Sequence, residues 1–430
     1  MKIIFVLSAL FISVWSPAFS APIAIINARA VTMIGDEIIE NATIIIRDDR
    51  IEAIGTGIAV PVGARVINAD GKFVLPGFMN GATQLGLTEI NSVSGTVDHT
   101  VTSGDLGLAF DIQYGLNPNS TLIGLARSDG LARAMVVPGG AAAAPFEGQG
   151  ATITLRDRGK ILDHPHAALF ARVGGASSAS VGGSRSAQWK ILRKKLQTAK
   201  RDIEQGTEDA VPRADLLDLV LDGRKPLAIH ASRESDIRHA LKLVDDFGIR
   251  VVIIGGAESW RVADEIADRD IGIVLDAYAG QPNSFDEFGA RSDSAAILVA
   301  AGVKVAFMAT SIHYSHDAGS GIRDAAGFSV AFGLPWSEAV RSLTTYPAEM
   351  WGVSNVYGTL SEGKSADITI WSGDPLEPLS MPEFMLIEGK EVSLTSRQDI
   401  LTHRYAPAND GFRPAYLRRD ALDANDEPKH

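Results

Sequence analysis

Between Ala134 and Phe307 the chain alternates short apolar runs with helical patterns, and this alternation constrains the fold most. The runs are Ala134–Val137, Leu227–Ile229, Val251–Ile254, Gly272–Leu275 and Val303–Phe307. Between them, Ile237, Leu241, Val244 and Phe247 recur at spacings that put them on one helix face. Trp260, Ala263 and Ala267 form a second such stripe, and Trp189, Leu192, Leu196, Ala199 and Ile203 a third. Strands that alternate with helices in this way predict parallel β/α units. So many units predict an α/β chain whose residues 76–356 close into a (β/α)8 TIM-like barrel. No Gly-x-Gly-x-x-Gly follows the first strand of the alternation, which disfavours a dinucleotide-binding sheet.

The two ends of the chain read differently. Ala24–Ala28, Ala42–Ile46 and Arg50–Ile54 are Ile-rich strand patterns separated by turn residues such as Gly35-Asp36 and Asp48-Asp49. Strand patterns return at Ala366–Trp371 and Phe384–Val392. Residues 21–75 and 357–395 are therefore expected to build one small composite β-sandwich. Residues 396–430 are polar and turn-rich, and are expected to wrap the surface and end in a tail. The basic face Lys190, Arg193, Lys194, Lys195, Lys200 and Arg201 reads as the solvated side of an outer barrel helix.

Residues 1–20 have the layout of a secretory signal peptide. Lys2 precedes the apolar run Ile3–Trp15, Pro17 breaks it, and Ala18 and Ser20 place small residues before a cut at Ala21. The expected location is periplasmic or secreted, with no stable membrane span, because the run is too short to cross a bilayer permanently; an uncleaved membrane anchor is the alternative. The full chain has a large core to build, with 46% hydrophobic and 21% charged residues. Its net charge of −12 argues against nucleic acid as a partner. With no cysteine, disulfides, thiolate nucleophiles and Cys-based metal sites are excluded.

Val74-Leu75-Pro76-Gly77-Phe78-Met79-Asn80 resembles the strand that opens the barrel in the amidohydrolase superfamily. Gly358–Trp371 resembles that superfamily's closing signature, and Thr345-Tyr346-Pro347-Ala348 and Asp374-Pro375-Leu376-Glu377 also match its pattern. The likeness runs from about Ile23 to Tyr405 and is greatest to exported, imidazolonepropionase-like amidohydrolases. It implies a hydrolase acting on C–N bonds other than peptide bonds, or on dipeptides. A divalent metal such as zinc would be its cofactor, lowering the pKa of a bound water and polarising a carbonyl. Small amide or peptide-like ligands are the implied partners, and a homo-oligomer or an active paralogue is a further possible partner.

The resemblance also implies where metal ligands belong. The first strand should carry His-x-His, but Ala82 and Gln84 stand there. The fifth-strand histidine is present as His230. The sixth-strand histidine position holds Gly255, and the eighth-strand aspartate position holds Thr310. Ala and Gly offer no donor, and one histidine does not hold zinc where about three protein ligands are usual.

Three constellations could replace the lost site. His230, His313, His316 and Asp317 could form a relocated metal site of imidazole and carboxylate ligands. His230 could instead work as acid or base with Glu89 or Glu258, while Gln84 and Thr310 donate to an oxyanion or to the substrate. The glycine-rich stretch Pro138–Gly150 could approach a ligand closely, or serve as a mobile lid or a surface loop. Arg233 or Arg185 could clamp a substrate carboxylate, or form an ordinary surface ion pair. Three functions stay open on these residues: a hydrolase, a ligand-binding protein on the same scaffold, and a structural partner of an active paralogue.

Overall fold

The structure is a computed structural model that describes residues 21–101, 103, 106–140, 144–205, 214–276, 280–309 and 313–405. Two eight-stranded sheets organise it. The first begins with β1 (Ile23–Val31), β2 (Ile38–Arg47), β3 (Arg50–Gly55), β4 (Arg65–Asn68) and β5 (Phe73–Pro76). Eight strands of the second sheet follow: β6 (Phe78–Thr83), β7 (Leu131–Val136), β8 (Phe146–Thr154), β9 (Leu162–Arg172), β10 (Leu227–Ala231), β11 (Val251–Gly255), β12 (Gly272–Asp276) and β13 (Val305–Met308). The chain then returns to the first sheet through β14 (Ile368–Trp371), β15 (Pro382–Ile387) and β16 (Lys390–Glu391).

In the first sheet β14 pairs antiparallel with β5, so the two chain ends share one ladder. Ile25, Ile44, Ile46, Ile51, Val74, Ile368, Ile370 and Leu386 bury one apolar cluster there. The pattern Phe384–Val392 divides into β15 and β16 because Glu388 and Gly389, both at positive φ, make the turn between them.

The second sheet is the barrel. Its strands run in sequence order and β13 packs beside β6. Most neighbours are parallel and bury Val, Ile, Leu and Ala on both faces, as a sheet covered by helices requires. Glu234–Phe247 shows how the covering helices form. Its acidic first turn suits the helix dipole, Gly248 ends it in a left-handed conformation, and Ile237, Ala240, Leu241 and Leu243 face inward.

β8 departs from the alternation. It pairs antiparallel with both β7 and β9, and among the described residues no helix intervenes. The glycine-rich stretch expected as a loop is thus partly a buried barrel strand. Glycine is needed there for space, since a Cβ on Gly150 would come 2.5 Å from the Phe170 ring and 2.7 Å from Met135 Cε.

A buried ion cluster joins the sheets. Arg133 in β7 gives Nε to Asp367 at 2.7 Å and Nη1 to Asp163 at 2.6 Å, and lies over the Tyr357 ring. Among the described residues no helix is long and apolar enough to cross a membrane.

A pH-dependent group sits at Asp129, which accepts from the Ser320 N–H at 3.1 Å. Burial pushes the Asp129 carboxyl up to about 6 from 3.8, against the opposing Ser320 N–H and Arg323, and Asp317 and Asp324 add to the rise. The folded state therefore binds this proton more tightly than the unfolded state. The stabilisation is fully present below the unfolded value and is lost as pH rises to about 6. Asp129→Asn is expected to stabilise the protein by ~2 kcal/mol near pH 7.5 and by almost nothing near pH 4. Urea midpoints of both proteins at the two pH values check this.

Candidate active site

The mouth of the barrel lies at the C-terminal ends of its parallel strands, where a barrel of this kind collects functional groups. His230 near the end of β10 is in register with Arg172 of β9 and Ile254 of β11. Because β8 runs the opposite way, its first residues reach the same end and bring Glu147 to His230. Arg172 Nε donates to Glu147 Oε1 at 2.5 Å. Glu147 Oε2 and His230 Nε2 lie 3.4 Å apart, both buried, and neither makes a directed hydrogen bond. Phe170 packs 6.4 Å from the His230 ring, centroid to centroid, and 6.0 Å from Trp351.

Burial, and then the nearby Arg172 charge, push His230 well below the ordinary imidazole pKa. Burial pushes Glu147 up, while Arg172 pulls it back. The pair can hold a polar hydrogen of a ligand, or share a proton between carboxyl and imidazole. Glu147 was not among the expected site residues. Its only sequence signal is a lone acid inside Phe146-Glu147-Gly148-Gln149-Gly150, which reads as loop.

The two carboxylates expected beside His230 are engaged elsewhere. Glu258 accepts from Glu234 N at 2.8 Å and Gly289 N at 3.0 Å, so it fastens two mouth loops together. Glu89 accepts from Asn117 Nδ2 at 3.2 Å. Gln84 is half-buried after β6, and its Nε2 and the His99 ring both lie against Gly139. His99, also unanticipated, bonds through Nδ1 to Thr88 Oγ1 at 2.9 Å, and burial lowers its pKa. Thr310 and the His313 side chain lie outside the described residues. The turn His313–His316 packs against the helix Thr121–Ser128 and β6, and Asn80 Nδ2 donates to the Ala318 carbonyl at 2.7 Å.

Metal chemistry needs several donors converging on one point. Ala82 presents a buried methyl group, Gly255 has no side chain, and Gln84 is turned to Gly139. Among the described residues no three His, Asp or Glu side chains form a group able to hold a metal ion, so His230, His316 and Asp317 are not gathered into one. These residues do not fit the divalent ion implied by the resemblance.

The amidohydrolase family profile matches residues 212–395, from before β10 through β16. That match covers 184 of the 430 residues, and the fold is the one seen in solved amidohydrolases. An amidohydrolase from Thermotoga maritima MSB8 superposes with a TM-score of 0.79 at 23% identity, covering 86% of this chain and 99% of that one. A prolidase solved with N-methylphosphonate-L-proline gives 0.55 at 15% identity, over 87% and 100% of the two chains. Phenylurea hydrolase B gives 0.55 at 16% identity, over 87% and 97%. These likenesses concern the fold. Amidohydrolase tasK of Hapsidospora irregularis is 38% identical over 58 residues, 14% of this chain, and the match spans only 6% of that relative's length. The mouth of this fold carries the Arg172–Glu147–His230 cluster.

Proposed function

We propose that this protein is an exported member of the amidohydrolase superfamily and binds a small amide or peptide-like ligand at the barrel mouth without metal-dependent turnover. The observation that carries the reading is the donor set: Ala82, Gln84 and Gly255 stand at ligand positions, and His230 is left facing Glu147. Export rests on the signal layout of residues 1–20, and a periplasmic or secreted location follows from it. The prolidase and phenylurea hydrolase among the fold neighbours support the proposed ligand class, a small molecule with an amide-like C–N bond.

Metal-free hydrolysis of such a bond is the second reading. It is favoured by one feature, the buried Glu147 Oε2 and His230 Nε2 at 3.4 Å, each without a directed partner. That pair could move a proton to a leaving nitrogen.

Metal analysis and a hydrolysis screen on the purified mature protein decide between these. The expected result is well under about one divalent ion per chain, since three protein ligands are the usual minimum. Dipeptides and cyclic amides are expected to raise the melting temperature without being cleaved. Stoichiometric zinc lost in His230→Ala would overturn the proposal. Turnover that survives chelator and disappears in Glu147→Gln would establish the second reading instead.

A further inference from the structure

Asp286 sits in the turn Phe285–Glu287, between β12 and the helix Ser294–Ala300. Its carboxylate is held from three sides by other mouth segments. Oδ1 accepts from Arg185 Nη2 and lies 3.7 Å from Arg233 Nε. Oδ2 accepts from the Gly175 N–H at 2.6 Å. The backbone at Gly174 and Gly175 is bare where the carboxylate rests. A Cβ on Gly174 would stand 2.9 Å from Asp286 Oδ2, and one on Gly175 would stand 2.7 Å from Arg185 Nη2. Gly174 N is in turn fixed by Gln188 Oε1 at 3.1 Å.

Arg233 already gives Nε to Asp236 at 2.8 Å, and Asp236 is buried and also accepts from Trp189 Nε1 at 3.0 Å. Without Asp286, Arg233 keeps Asp236 and the nearby Glu258 while Arg185 loses its carboxylate, so the Arg185 guanidinium is the one left to take a monocarboxylate. Arg185 Nε is buried and has no hydrogen-bond partner, so the fork has a donor to spare.

The loop that delivers Asp286 is tied independently further along. Gly289 N donates to Glu258 Oε1 at 3.0 Å and the Gly289 carbonyl accepts from Trp260 Nε1 at 2.8 Å. Release of Asp286 would thus free the turn while Gly289 stays in place. Phe285 and Phe288 flank Asp286 and are exposed, at 79% and 78%, so little apolar burial holds the turn down.

We infer that Arg185, Arg233 and the Gly175 N–H form a binding site for a ligand carboxylate at the barrel mouth, which Asp286 fills as an internal competitor. The ligand class is a small acid whose amide-bearing end points into the barrel, such as an N-acylamino acid or dipeptide. This rests on the reading of the mouth as a ligand site. It is independent of metal content, which decides that reading separately.

The test uses N-acetylglycine and its neutral counterpart N-acetylglycinamide, titrated calorimetrically into the full mature protein. Asp286→Asn removes the tethered competitor and is expected to tighten N-acetylglycine binding by about tenfold or more. Arg185→Met in the Asp286→Asn background is expected to abolish that gain. The amide should bind no more tightly to Asp286→Asn than to the wild type. Chymotryptic cleavage after Phe285 and Phe288 should quicken in Asp286→Asn, and in the wild type on adding the acid. Equal affinity of Asp286→Asn and wild type for the acid, with cleavage at Phe285 and Phe288 showing the turn released, would overturn the inference. An equal gain for acid and amide would overturn it too.

Discussion

Arg133→Met is expected to cost about 4 kcal/mol of stability, because it breaks a buried ion cluster from one side. Arg133 is 1% exposed and its partner Asp367 is fully buried. Burial alone would lower the arginine pKa, but Asp367 and Asp163 outweigh it and hold the guanidinium charged. Asp367 also accepts from Ser365 Oγ at 2.8 Å and from the Glu388 N–H at 2.7 Å, so it stays fixed and desolvated when the arginine is gone. Lysine would keep the charge but could not reach Asp367 and Asp163 together as a planar fork. Arg133→Lys is expected to recover only part of the loss. Urea unfolding followed by tryptophan fluorescence would show it, since Trp351 lies in the barrel and Trp371 in the composite sheet. A loss under about 1 kcal/mol for Arg133→Met would mean that the cluster is neutral to stability, as some buried pairs are when replaced whole.

The role of Arg133 shows where sequence reasoning stops. The composite sheet was legible because Ile25, Ile44, Ile46 and Ile368 repeat with strand spacing on either side of turn residues. The barrel was legible in β10 to β13, where apolar runs alternate with helices. β8 was not, because a strand rich in Gly, Glu and Gln carries no hydrophobic period. Its burial comes from Phe110, Met135 and Phe170 filling the space that its glycines leave. The same omission hid Glu147, since only an antiparallel β8 brings the start of that strand to the mouth. Glu258 was visible as an acid after β11, yet its two backbone partners are set by loops whose approach no local pattern encodes. His230 and Arg233 could be placed at the mouth because each lies at or just past a strand whose period is plain.

Arg172→Met is the second large effect, and it separates charge from packing at the mouth. Removing the guanidinium leaves the Glu147 carboxylate, 3% exposed, without the cation that offsets its burial. The arginine itself is one-third exposed, so the cost is expected at about 2–3 kcal/mol rather than at the upper end for a buried pair. Glu147→Gln in the same chain should recover most of that loss, because no unpaired charge is then left to bury. His230 gives the cycle a second readout. Arg172 is one cause of its lowered pKa, so its imidazole should titrate at higher pH in Arg172→Met, by NMR, than in the wild type. Recovery of stability without that movement would place the effect of Arg172 wholly on Glu147. A double variant as unstable as Arg172→Met would show that the aliphatic stem and its packing, not the charge, hold β8 against β9.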